Sequence, residues 1–187
     1  MSQNRPLLPR LLTLSLMLTL CAAALVWPAA GRAQSPVEFR LRSADGGEIT
    51  SEMMRGDVVV LAFGASWLPP ALVRDHMRDV QGLADEFGQR QVRVYWVSTD
   101  SDKAQSKNYV SDEQLRAFAR KNGLKVAVLR DPDGALFKRM GVANNQLLAV
   151  VMLDQRGQVS IPTIGGSDPS RKLVDAITPR LNTLLGQ

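Results

Sequence analysis

Cysteine and histidine are almost missing from this sequence: its 187 residues include one of each, Cys21 and His76. One cysteine cannot close a disulfide within the chain, nor can it supply the two thiols of a dithiol redox site. A histidine with no second histidine or cysteine cannot build a zinc site of the usual kind. Set on a helix pattern, His76 is expected at the surface or half-buried. Excess charge of one sign is also slight, at a formal +5. Three of the arginines behind that figure, Arg5, Arg10 and Arg32, lie in the first 33 residues, which hold no acid, so the remainder carries +2. That is too little for an electrostatic footprint on nucleic acid.

Uncharged apolar sequence is confined to one long stretch, residues 11–27. Arg5 and Arg10 precede it, Pro28 breaks it, and small residues follow through Ala33. A basic start, an apolar middle and a small-residue exit predict a secretory signal peptide over residues 1–33, with export to a periplasmic or secreted location. Left uncleaved, the same segment would be the chain's only membrane contact, although it is shorter than the roughly 20 residues of a spanning helix. Cys21 lies inside it, preceded by Leu20 rather than a small residue, which argues against lipid attachment. Cleavage would leave a domain over 34–187 without any cysteine, hence without disulfide, thiolate nucleophile or cysteine metal site.

The rest of the sequence alternates strand and helix signals. Residues 37–50 alternate apolar and polar positions around Asp45-Gly46-Gly47, predicting a hairpin. The unbroken β-branched run 58–63 predicts a central strand buried on both faces. Pro70 suits the first turn of a helix that ends at Gly88. Strands are expected at 92–100, 126–129, 147–154 and 158–162. Ser111 with Gln114 makes a capping box for a helix through Lys121. Asp131-Pro132-Asp133-Gly134 is a turn ahead of a short helix. Ser167-Asp168-Pro169 is expected to cap a last amphipathic helix, which Pro179 should kink or restart. The pattern predicts a single α/β domain, a three-layer α/β/α sandwich with an N-terminal hairpin.

Several stretches together carry a resemblance. "FRLRSADGG", "RGDVVVLAFGASWLPPALVRDHM", "SDEQLRAFARKNGLKVAVLRDPDGALFKRMGV" and "VVMLDQRGQV" follow one another in the order and spacing of the thioredoxin-like superfamily. The chain resembles in particular the exported TlpA/ResA-type thiol–disulfide oxidoreductases and their redoxin relatives. The resemblance implies that Leu68 and Ala71 occupy the two redox cysteine positions. Neither can form the thiolate that a helix N-terminus activates, and neither can resolve a mixed disulfide. The family's buried acid falls at Ala62, a frequent aromatic at Gly64, and the cis-proline position near Leu148. Trp67, Pro69 and Pro70 are kept.

Other chemistry finds little support in the residues. Ser66 has no base and orienting acid in recognisable spacing. Asp100, Asp102, Asp131 and Asp133 lack a calcium-loop pattern. Met53, Met54 and Met77 with His76 are the only plausible donors for monovalent copper. The expectation is therefore an exported module that binds rather than turns over thiols, for partner recognition, chaperoning or assembly, with no catalytic residue, metal or cofactor. Its groove would be lined by Trp67, Pro69, Pro70, Ala71 and the segment Gln146, Leu147 and Leu148, with a protein or extended peptide as partner. The alternatives are a redoxin-type enzyme with a cysteine-independent site and a methionine-based copper handler.

Overall fold

Side chains of successive strand residues point to opposite faces, so Val58, Val60 and Ala62 face one way and Val59, Leu61 and Phe63 the other. Both sets are buried, each in its own apolar core. The computed structural model, which describes residues 35–142, 146, 148–165 and 172–186, builds a seven-stranded sheet around this strand. The elements run β1 (Arg40–Ser43), β2 (Glu48–Thr50), β3 (Val58–Gly64), α1 (Pro70–Phe87), β4 (Val92–Ser98), α2 (Asp112–Lys121) and β5 (Val128–Arg130). They continue with α3 (Ala135–Arg139), β6 (Ala149–Leu153), β7 (Val159–Gly165) and α4 (Leu173–Leu184). Strand order is β2-β1-β5-β4-β3-β6-β7. β3, β4 and β5 are parallel, while β1, β6 and the two edge strands pair antiparallel. The signal-peptide reading of residues 1–33 lies outside the described residues, among which no helix is long and apolar enough to cross a membrane.

The two faces are covered separately, which makes three layers. Val73, Met77 and Val80 of α1, Leu115 of α2, and Ile177 and Leu181 of α4 pack on the first face. Leu136 and Phe137 of α3, with Met54 and Phe39, cover the second. The α/β sandwich expected from the sequence is therefore present. Most local signals also act as read. Gly46 and Gly47 turn the β1–β2 hairpin at φ 98° and 77°, backbone that a side chain would strain. Pro70 opens α1 and Gly88 closes it, its N–H bonding the Ala84 carbonyl. Ser111 and Gln114 form the capping box of α2 in both directions.

Two elements differ from the sequence expectation. β7 runs on to Gly165 through Pro162, which a strand tolerates because it lies at the edge of the sheet. α4 begins at Leu173, whose N–H donates to the Asp79 carboxylate of α1 at 3.0 Å. The donor at this helix start is thus satisfied by a residue 94 positions away; Ser167-Asp168-Pro169 lies outside the described residues. Pro179 sits within α4, which continues as one helix.

Candidate functional site

Gly64 ends β3 and Pro70 starts α1, so the first redox position of the resembled family, Leu68, falls in the loop 65–69 and the second, Ala71, in the first turn of α1. Leu68 turns inward and is 8% exposed, packed in the first core. Ala71, in the first turn of α1, is exposed, as are Pro69 and Pro70. Trp67 is 48% exposed, one of the few large apolar side chains at the surface. The two cysteine-equivalent positions therefore have opposite fates, one a core residue and the other surface. Gln146 is half-buried. Leu148 is buried in the same core as Leu68, so only its main chain is left to offer a peptide. Leu147 lies outside the described residues, as do Asn144 and Asn145.

The loop is held by a residue that sequence reasoning set aside. Asp100, just after β4, is fully buried. Its carboxylate accepts the Ser66 N–H at 3.0 and 3.1 Å, the Ser66 hydroxyl at 2.9 Å and the Ser98 hydroxyl at 2.8 Å. Three donors on one buried carboxylate satisfy it and fix the loop against β4. Ser66 does meet an acid, across 34 residues of sequence, but among the described residues no imidazole joins them. The arrangement is an anchor. Next to it, buried Arg130 reaches from β5 to the Ser101 carbonyl at 3.2 Å and to Asp112 at 2.7 Å. Burial works to raise the Asp112 carboxyl, but the hydrogen bonds from Arg130 and Arg42 outweigh it and hold the group below the usual carboxylate range.

His76 corrects the expectation of a surface or half-buried residue. It is buried on the sheet side of α1, edge-on to Trp96 with ring centroids 5.4 Å apart and planes at 65°. Its Nε2 has no hydrogen-bond partner among the described residues. Burial pushes the imidazole from 6.5 down to about 4, so it is neutral at neutral pH. Trp96 also explains Gly64. A Cβ built on Gly64 would run into Cη2 and Cζ2 of the Trp96 indole. The aromatic that the resembled family often carries on β3 is replaced here by an indole reaching across from β4.

The metal readings lose their geometry. Met54 packs on the second face of the sheet and Met77 on the first, so the Met53-Met54 pair and the His76-Met77 pair cannot converge on one copper ion. The Asp131 carbonyl accepts the Gly134 N–H, closing the turn read from the sequence, and its carboxylate accepts the N–H groups of Leu136 and Phe137 in the first turn of α3. Asp133 pairs with Lys103 at 3.0 Å, and Asp102 with Arg42 at 4.0 Å. No group of three histidine, cysteine or carboxylate side chains converges among the described residues.

Comparison with known proteins fits this geometry. The family model described as AhpC/TSA family matches residues 33–161. No curated protein sequence matches the chain. Among solved structures, the exposed lipoprotein thioredoxin of Streptococcus pneumoniae is 26% identical with TM-score 0.59, covering 81% of this chain and 100% of its own. A protein assigned as thiol:disulfide interchange protein DsbE from Chlorobium tepidum is 20% identical with TM-score 0.65, over 82% and 96% of the two chains. A secreted disulfide oxidoreductase of Mycobacterium tuberculosis is 17% identical with TM-score 0.58, over 78% and 95%. The likeness to the last two shows the fold, which is thioredoxin-like.

Proposed function

Because the chain belongs to the AhpC/TSA family of thioredoxin-like proteins and yet has leucine and alanine at the redox positions, we propose that it is an exported, redox-inactive binding module. The observation that carries this reading is the segment 65–71, the loop after β3 with the first residues of α1. Leu68 has joined the core, whereas Trp67, Pro69, Pro70 and Ala71 remain at the surface. A loop kept rigid by Asp100 presents an indole and two prolines, which have little conformational freedom to lose on binding. Such a rim suits an extended polypeptide held by apolar contact and backbone hydrogen bonds, and Gln146 and Leu148 are proposed as the other side of the groove. Export rests on the leader pattern in residues 1–33, with cleavage leaving a domain from residue 34.

The test uses the two tryptophans that remain without the leader. Trp96 is buried and Trp67 half-exposed, so a blue shift in emission on adding an unfolded, carboxymethylated polypeptide reports occupancy at Trp67. Trp67→Ala is expected to abolish the shift and weaken binding roughly tenfold or more, as for a buried aromatic anchor. Unchanged affinity in Trp67→Ala, or dithiol-dependent turnover in an insulin-reduction assay, would overturn the reading.

A further inference from the structure

α1 is held unevenly along its length. Side chains tie its second half to other elements. The Asp79 carboxylate accepts the Leu173 N–H at the start of α4 at 3.0 Å. The Gln81 carboxamide oxygen accepts the N–H groups of Lys125 and Val126, ahead of β5, at 2.7 and 3.3 Å. Val80, Leu83 and Phe87 are buried beneath this half. Residues 70–78 make no hydrogen bond to another element among the described residues; their one side-chain bond, from Arg78 to Asp75, stays within the helix. The start of α1 has no side-chain cap, and Pro70, Ala71 and Leu72 are exposed. What holds the first half down is the burial of Val73, His76 and Met77. A segment secured by so few buried side chains opens at lower free energy than the core around it.

One of those three side chains can change its charge. The strands bring no titratable group to the core on that face: β3 contributes Val60 and Ala62, β4 Val94 and Trp96, and β6 Val150 and Met152. Past the end of β4, the Asp100 carboxylate is turned to Ser66 and Ser98. On α4, Lys172, Asp175 and Arg180 are exposed. On α1 itself, Arg74, Asp75 and Arg78 are exposed and Asp79 is bound to α4. A protonated His76 would thus be an imidazolium without a counter-charge and without an acceptor for Nε2. Bringing it to water requires only that residues 70–78 open, not the whole domain. We propose that the first half of α1 is an acid-sensitive latch, lifting from the sheet while the second half stays tied, and that a proton on His76 favours the lifted form. This half carries Pro70 and Ala71 of the rim, so the bearing of the latch on polypeptide binding rests on the function proposed above, whereas the opening itself does not.

Native-state hydrogen exchange of the full chain, with no ligand added, tests the opening. The imidazole titrates near 6.5 in water and at about 4 when buried here, so the open fraction should rise about 70-fold from pH 7.5 to 4.5. After correction for intrinsic exchange rates, the amides of His76, Met77 and Arg78 should be less protected than those of Val60, Leu61 and Ala62 in β3 at both pH values. The amides of Leu83 and Ala84, in the tied half, should stay as protected as β3. Across the same pH interval, protection at His76, Met77 and Arg78 should fall about 70-fold more in the natural protein than in His76→Leu. His76→Phe gives the same comparison if His76→Leu does not fold. Protection at these three amides equal to that of β3 would show that the helix opens only with the whole domain, which would overturn the latch. So would an equal fall with pH in the natural protein and in the folded histidine variant.

Discussion

His76 has a stable place in the fold only as the neutral imidazole, because protonation would leave a charge among apolar side chains with no partner on Nε2. The pH dependence follows from its shift from 6.5 to about 4. Above pH 6.5 neither the folded nor the unfolded chain holds the proton, and the residue contributes no pH dependence. Between 6.5 and 4 the unfolded chain takes the proton and the folded one does not, so stability falls as pH falls. Below about 4 the loss levels off at about 3 kcal/mol. Urea unfolding at pH 7.5 and 4.5 should show this loss in the natural protein, while His76→Leu should lack that share of it. Equal pH slopes in the two proteins would show that the imidazole is not buried as described. Gly64 makes a second residue-scale case. Gly64→Ala should cost about 1–3 kcal/mol by forcing the Trp96 indole aside, and much less in a Trp96→Leu background, which a double-mutant cycle would measure.

At the scale of elements, signals carried by neighbours in sequence were legible and those carried by distant partners were not. The capping box of Ser111 and Gln114 spans three residues and the turn at Asp131-Pro132-Asp133-Gly134 spans four, so their chemistry lies within one reading window. Asp100 and Ser66 stand 34 residues apart, and Asp79 and Leu173 stand 94 apart. No local pattern distinguishes Asp100 from the exposed Asp102, though one is buried under a loop and the other is at the surface. Replacing Asp100 with alanine leaves the Ser66 N–H, the Ser66 hydroxyl and the Ser98 hydroxyl without an acceptor. The expected cost is on the order of 3 kcal/mol in urea unfolding. The loosened loop should also raise acrylamide quenching of Trp67 while leaving Trp96 protected. Unchanged quenching would mean that the loop is held by something other than this carboxylate.

For the whole molecule, the frame around the redox positions is preserved well enough to be tested directly. Leu68→Cys with Ala71→Cys, in a chain freed of Cys21 by Cys21→Ser, should form an internal disulfide across the first turn of α1. Thiol counting by mass spectrometry before and after reduction reads it out. Removing the Leu68 side chain from the core should lower stability by about 1–3 kcal/mol. Absence of the bond would mean that residues 68 and 71 are not the counterparts of the family's cysteine pair. The resemblance identified this frame because it rests on the order of many elements. It did not foresee that Leu68 and Leu148 would be drawn into one core, since burial of a single leucine depends on what the rest of the sheet packs over it.

Hydropathy period, helix punctuation and the near-absence of cysteine and histidine are properties of the chain alone. They determined the α/β class, the element order and the lack of a dithiol at the usual site, because each follows from covalent composition or from contacts within a few residues. The anchoring of the loop by Asp100, the burial of His76 against Trp96 and the indole that takes the space above Gly64 arose only in the tertiary structure. Each depends on which strands become neighbours and which face each helix covers. Those choices are made by packing across tens of residues, where sequence distance no longer indicates what touches what.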